Sequence, residues 1–264
     1  MSYYSEMQEN ISKESKKIEV LKSEIDEWSK CKNDIIYFAD TYCKYVNINI
    51  GLQTVQLYDW QKEYLNVCTD NDYVCLLKAR QVGGTLSSVI HMLHYVTFND
   101  DKTVALLANK GDTAREILNR IKLMYNNLPN FLKVPSVVNN ANIFELINGG
   151  RIIASSTSGN VIRGFSISYL YIDECAWALT KDFYKSTYPT IASGKNVKII
   201  LASSYLKNSL FMTIHDDATL GLNQFTPMKV DWTAIPHRDE EWKRQTIANT
   251  SEGAFIQEHK CGIK

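Results

Sequence analysis

Hydrophobic positions change their period along this chain, and the change divides it. From Glu6 to about Lys32 a polar stretch without Gly or Pro carries Ile11, Ile18, Leu21, Ile25 and Trp28 at three- to seven-residue spacing. That spacing predicts an amphipathic helix, packed as a lid or arm. Asp34 to Tyr45 predicts a second helix, and Val46 to Gly51 an extended excursion. From Tyr73 onward short apolar runs alternate with helical stretches. Strands are expected at Tyr73–Leu77, Thr103–Ala108, Tyr169–Ile172 and Val197–Leu201, with helices from about Thr85 to Val96 and from Asp112 to Asn126. Phe144–Leu146 and Arg151–Ser155 flank Asn148-Gly149-Gly150, a hairpin signal. Strands alternating with helices predict an α/β fold on a mainly parallel sheet. The expected division is a helical subdomain over residues 1–56 and an α/β domain over residues 57–264.

Composition narrows the partners. The 264 residues are 45% hydrophobic and 22% charged, which fits one globular domain with a small appendage. Basic and acidic residues balance at 29 each. A general polyanion binder would show a basic excess, so any nucleic-acid contact is expected to be local, transient or shared with other chains. The six cysteines include no C-x-x-C pair and are too few for a disulfide framework, so reduced thiols are expected. The N-terminus has no apolar signal region, and no apolar run approaches membrane-spanning length. Work in cytoplasm, without a membrane partner, is the expectation.

Residues 78–85 read Lys78-Ala79-Arg80-Gln81-Val82-Gly83-Gly84-Thr85, between a predicted strand and a predicted helix. A phosphate-binding loop needs that context, because successive backbone N–H groups and the helix N-terminus then point at the phosphates. Thr85 stands where a hydroxyl ligates magnesium. Against the pattern G-x-x-x-x-G-K-[ST], Gly83 and Thr85 match, Lys78 replaces the first glycine, and Gly84 takes the place of the lysine. An ordinary βα turn with two glycines reads the same, so the loop alone decides nothing.

Three further elements add weight through their order. Tyr169-Leu170-Tyr171-Ile172 runs into Asp173-Glu174, and in P-loop ATPases the first such acid serves magnesium while the second polarises the attacking water. Strand ends are where open α/β sheets bind ligands. A solvated acidic pair opening a loop is the plainer reading of the same residues. Val197–Leu201 runs into Ala202-Ser203-Ser204, a hydroxyl pair able to sense a γ-phosphate, or simply a serine-rich turn. Upstream, Tyr58, Trp60 and Gln61 offer an amide for an adenine edge and aromatics for its face, although core packing explains the aromatics equally well.

With these elements in order, the chain resembles the large terminase subunits of T4-like tailed phages from about Asp34 to His259. The likeness rests on LYDWQKEYL, ARQVGGT, FNDDKTVALLANKG, VIRGFS, YLYIDECAW, KIILASS and FIQEHKC. It implies a RecA-like P-loop ATPase of the ASCE type. Such an ATPase would use ATP and Mg2+ to pump double-stranded DNA through a portal protein into a preformed capsid. It implies that Tyr58, Trp60 and Gln61 form the adenine site, that residues 78–85 are the Walker A loop, and that Thr85 and Asp173 hold the metal. Glu174 would be the catalytic glutamate, and Ser203 and Ser204 the coupling motif. Arg80 would act in cis on the γ-phosphate, and Arg163 would reach a neighbouring subunit's ATP; a loop arginine before a turn glycine reads the same as the latter. Implied partners are the portal, a small terminase subunit and sister large subunits in a ring, although a monomer in dilute solution fits too. The implied place is the host cytoplasm, at the portal vertex of the procapsid and outside the mature virion.

Two departures qualify the likeness. Gly84 brings no charge to the phosphates, and loss of such a clamp costs on the order of several kcal/mol of transition-state stabilisation. Lys78 at the start of the loop has a doubtful reach, so Arg80 is the better expected substitute, with weak or absent turnover. The chain also stops just after the stretch that ends the family's ATPase domain, so no nuclease activity is expected. The competing readings are a hydrolysis-deficient module that binds nucleotide, DNA or portal, and a helicase fragment, for which no second lobe has room. Lys110, Arg115, Arg120 and Lys122, and separately Lys13, Lys16 and Lys17, are expected to be solvated helix faces.

Overall fold

The computed structural model describes residues 19–157, 164–180 and 197–262. Its first helix, α1, spans residues 19–33, and Asp34 separates it from α2 (Ile35–Tyr42). The Asp34 carboxylate accepts from Tyr37 N–H at 2.8 Å, satisfying a donor that a helix start leaves free. The chain then enters a hairpin, β1 (Lys44–Asn47) antiparallel to β2 (Gly51–Thr54), where the sequence pattern predicts helix as far as Tyr45 and a lone excursion.

The rest is one layered α/β body. Its elements are α3 (Asp59–Asp70), β3 (Tyr73–Lys78), α4 (Gly84–Phe98), β4 (Thr103–Ala108), α5 (Gly111–Asn126), β5 (Ser136–Asn139), β6 (Ile143–Leu146), β7 (Arg151–Ser156), β8 (Tyr169–Ile172), α6 (Cys175–Ala178), β9 (Lys198–Ser203), α7 (Leu210–Thr219), β10 (Thr226–Val230), α8 (Glu240–Asn249) and α9 (Glu252–Glu258). Among the described residues eight strands form a single sheet in the order β10-β3-β9-β8-β4-β7-β6-β5. The pairs from β10 to β7 are parallel, and the hairpin partners β6 and β5 run antiparallel at the far edge. β9 lies between β3 and β8, with Leu77 opposite Ser203 and Leu201 opposite Ile172. That register brings three loops out at one edge: the one after Lys78, the one after Ser203 and the one after Ile172.

Alternation along β3 shows why both faces are covered. Val74 and Leu76 enter a core with α3, α4 and α5, whereas Cys75 and Leu77 enter a second core with α6 and α7. The N-terminal elements belong to the first core: Phe38 meets Phe98 edge-on at 5.6 Å, and Trp28 meets the same ring at 5.4 Å. Further along α1, Val20, Leu21 and Ile25 stay exposed, so only its last turns pack on the body. All six cysteines are buried. Burial pushes the Cys31, Cys68, Cys75 and Cys261 thiols up to about 12, and those of Cys43 and Cys175 well above their ordinary value.

His94 shows a cost of this packing. Its ring lies between Phe38 and Phe98, with Nε2 2.9 Å from Cys31 O, and burial lowers its pKa from 6.5 to about 4. A released ring would take a proton that the packed ring refuses. The unfolded chain therefore binds more protons between 6.5 and about 4, and stability is lost as pH falls through that window. His94 alone should remove on the order of 2 kcal/mol between about pH 7 and about pH 5. Thermal melts of His94→Gln should show a flatter dependence on pH than the parent; parallel curves would count against this account.

Candidate functional site

β3 ends at Lys78 and α4 begins at Gly84, leaving a tight loop between strand and helix. Gly83 N-caps α4 at φ 93°, in the left-handed region that glycine enters without a Cβ penalty. A Cβ on Gly83 would stand 2.6 Å from Gln61 Nε2. Gln61 explains the closeness. Its Nε2 donates to Gly83 O at 3.1 Å, and its Oε1 accepts from Tyr58 N–H at 2.9 Å. The amide thus braces the loop from behind, which leaves it one N–H for any further bond.

Lys78 runs across the other glycine. A Cβ on Gly84 would lie 2.6 Å from Lys78 Cδ and 3.2 Å from its Cε. The Lys78 side chain is 6% exposed, and its ammonium ends 3.1 Å from Glu174 Oε1. Ser204 Oγ donates to Glu174 Oε2 at 3.1 Å. Glu174 itself takes a left-handed backbone, φ 46° and ψ 47°, at the N-cap of α6. For a residue with a side chain that conformation costs about 1 kcal/mol or more and persists only where its surroundings hold it. Ser203 Oγ accepts from Ala176 N–H at 3.0 Å and so secures the turn.

Asp173 is 5% exposed and accepts from Tyr171 O–H at 2.9 Å. Burial raises its carboxyl pKa, against the pull of the Lys78 charge. A dication would offset that cost, and Asp173 with the Thr85 hydroxyl offers the hard oxygen donors that magnesium takes. Among the described residues no group of three His, Cys, Asp or Glu side chains could hold a metal.

Residues 78–86 and Glu174 line a cavity of about 1030 Å³, walled opposite by hairpin residues 45–49 and by Glu116, Asn119 and Arg120 of α5. Lys78, Ala79, Arg80, Gln81, Val82, Gly83, Gly84, Thr85 and Glu174 are thus together, with Asp173, Ser203 and Ser204 just behind them. Arg163 lies outside the described residues. Two expectations change. Arg80 turns outward: its side chain is 57% exposed and pairs with Glu258 at 2.9 Å, while Lys78, expected to lack reach, turns inward. Trp60 does not line the cavity; it is buried in the core beside Tyr64 and borders a separate hollow with Met228, Val230 and Ala234. The basic residues of α5 are engaged within the chain, Arg115 with Asp112, Arg120 with Glu116 at 3.3 Å and Lys122 with Asn140 O at 2.5 Å.

Nothing in the residue pattern singles out Arg238. Its NH1 donates to Arg80 O at 3.1 Å and its NH2 to Gln81 O at 3.0 Å. No spacing rule links positions so far apart.

Residues 75–264 match the family model described as the terminase large subunit, T4likevirus-type, N-terminal. The fold is similar to that of the HK97 bacteriophage large terminase, with a TM-score of 0.72 and 17% identity over 88% of this chain and 55% of that one. The ATPase domain of the Thermus phage P74-26 large terminase gives a TM-score of 0.61 and 14% identity over 78% of this chain and 99% of that domain. The large terminase of the thermophilic bacteriophage D6E, in complex with ATP-gamma-S, gives 0.54 and 13% identity over 77% of this chain and 52% of that one. At these identities the likeness is one of fold. The chain spans about half the length of the HK97 and D6E proteins.

Proposed function

Since the chain belongs to the terminase large subunits of the T4-like type, matched over residues 75–264, we propose that its loop binds and hydrolyses ATP to move double-stranded DNA into a procapsid. One observation carries the hydrolytic part: a buried ammonium, Lys78, meets Glu174 at 3.1 Å where the loop, the acidic strand end and the hydroxyl pair converge. Gly84 is then no bare deletion. Its missing side chain is the space through which the Lys78 stem passes. The expectation of weak turnover rested on glycine at position 84 and on a doubtful reach for Lys78, whereas the Lys78 ammonium comes within 3.1 Å of Glu174.

The residues divide the chemistry as follows. Backbone N–H groups at the start of α4 receive phosphate oxygens. Lys78 leaves Glu174 for the β- and γ-phosphates, a charge exchanged for a charge. Glu174, so released, accepts a proton at Oε1 from the water that attacks the γ-phosphorus as the bond to the β–γ bridging oxygen breaks and ADP leaves, while Ser204 holds Oε2 and fixes the carboxylate's plane. Thr85 and Asp173 would hold Mg2+, which when bound draws charge from the phosphate oxygens. When the γ-phosphate leaves, Lys78 and Glu174 pair again, and Ser204 at the end of β9 carries that change into the sheet. The D6E terminase, bound to ATP-gamma-S, supports a nucleotide in this fold.

The proposal extends to translocation of DNA and, as partners, to a portal, a small terminase subunit and sister subunits in a ring, with a place at the portal vertex in host cytoplasm. Gly84 favours a second reading, a nucleotide-binding module without turnover. Phosphate release and nucleotide binding, measured with Mg2+ and with and without double-stranded DNA, decide between them. Turnover supports the motor, binding alone the second reading, and neither result would leave the site without its proposed ligand.

A further inference from the structure

We propose that Arg238 is a positioning residue that presets the phosphate loop: by holding two successive carbonyls on the outer side, it turns the N–H groups of Gln81 and Val82 inward. The proposal rests on the nucleotide reading above and adds a residue to it.

The geometry follows from peptide planarity. In a trans peptide the C=O and the next N–H point in opposite directions. Arg238 NH1 takes Arg80 O at 3.1 Å and NH2 takes Gln81 O at 3.0 Å. Two consecutive carbonyls converging on one guanidinium leave the N–H groups of residues 81 and 82 facing away from it together. Gln81 reaches this arrangement at φ 55°, the left-handed conformation from which amide nests for anions are built. Converging carbonyl dipoles repel each other, and a loop free of Arg238 would relieve them by turning a peptide. The two-pronged guanidinium removes that option, whereas the ammonium of a lysine is a single point charge.

The guanidinium is held in its turn. It lies over the Trp242 ring at 4.6 Å, and Trp242 stacks on Trp232 at 5.7 Å with an interplanar angle of 23°. Glu258 grips the same rim, its backbone oxygen accepting from Arg80 N–H at 2.8 Å and its carboxylate pairing with the Arg80 side chain. The segment from Trp232 to Glu258 thus closes on the loop at Arg80 and Gln81, whereas the Lys78 ammonium turns to Glu174.

Calorimetric titration of pyrophosphate and of ADP into the chain and its Arg238→Ala and Arg238→Lys variants tests the idea, with melting temperature as control. Both ligands should bind Arg238→Ala about tenfold more weakly, because the clamp acts on the phosphate-binding amides and not on a base. Hydrogen exchange of residues 79–85 should quicken in that variant without ligand. If Arg238→Ala does not fold, Arg238→Lys carries the test, with pyrophosphate binding expected to fall by about threefold while the charge is kept. Unchanged affinity in the folded variants overturns the proposal. Weaker ADP binding with pyrophosphate unaffected overturns it too, since the guanidinium would then serve base or ribose. Wild-type protein that binds neither ligand overturns the phosphate-site reading, and the clamp with it.

Discussion

Replacing Lys78 with methionine should lower ATP turnover by on the order of 10²–10³-fold, the loss seen when a charge-stabilising donor is removed from a transition state. Methionine keeps the unbranched stem that crosses Gly84 and removes only the ammonium, so the melting temperature should change little. ATP affinity should weaken as well, because the same charge serves the bound and the reacting phosphates. The decisive companion is the double variant Lys78→Ala with Gly84→Lys. On Gly84 alone a lysine's Cβ would collide with Lys78 Cδ at 2.6 Å, but shortening residue 78 clears that space. Turnover in the double variant should recover most of what Lys78→Met loses. Phosphate release by Lys78→Met at the parent rate would end the proposal that Lys78 replaces the missing cation.

Glu174→Gln should have the other large effect, lowering kcat by on the order of 10³-fold with ATP affinity retained or raised. The amide keeps the shape that Ser204 and Lys78 grip, yet it accepts no proton from water and no longer competes with phosphate for the Lys78 ammonium. The two variants thus separate by affinity: Lys78→Met loses binding and turnover, Glu174→Gln turnover alone. A Glu174→Gln protein with kcat near the parent's would remove Glu174 from the chemistry. Equal weakening of ATP binding in both variants would make the 3.1 Å pair structural rather than exchangeable.

Much of this site was legible because its parts are local. β4 and β8 fall where apolar runs were read, Thr103–Ala108 and Tyr169–Ile172, since short buried strands between polar turns leave little freedom of boundary. Parallel pairing followed from alternation with helices, and the loop from two glycines between strand and helix. What escaped was non-local or depended on rotamers. The inward course of Lys78 is a choice of side-chain torsions made possible by the bare Gly84, and no period encodes it. Arg238 meets the loop only because β10 lies beside β3. β10 itself is short and mixed, Thr226 and Lys229 beside Met228 and Val230, and contains Pro227, which an edge strand tolerates and a sequence pattern discounts. The pattern predicts helix through Tyr45 because the residues after Cys43 look no different from those before it; pairing with Gly51–Thr54 decides the matter.

The buried thiols have a practical consequence. Alkylating reagents attack thiolates that they can reach, and none of the six sulfurs is both ionised and accessible while the protein is closed. Their rate of modification is therefore a clock of opening. Cys175, beside Glu174, times the acidic turn, and Cys31 times the junction of α1 with the body. A cysteine introduced on an exposed surface can carry a dye against a silent background, so distances across the domain can be followed without first stripping the native sulfurs.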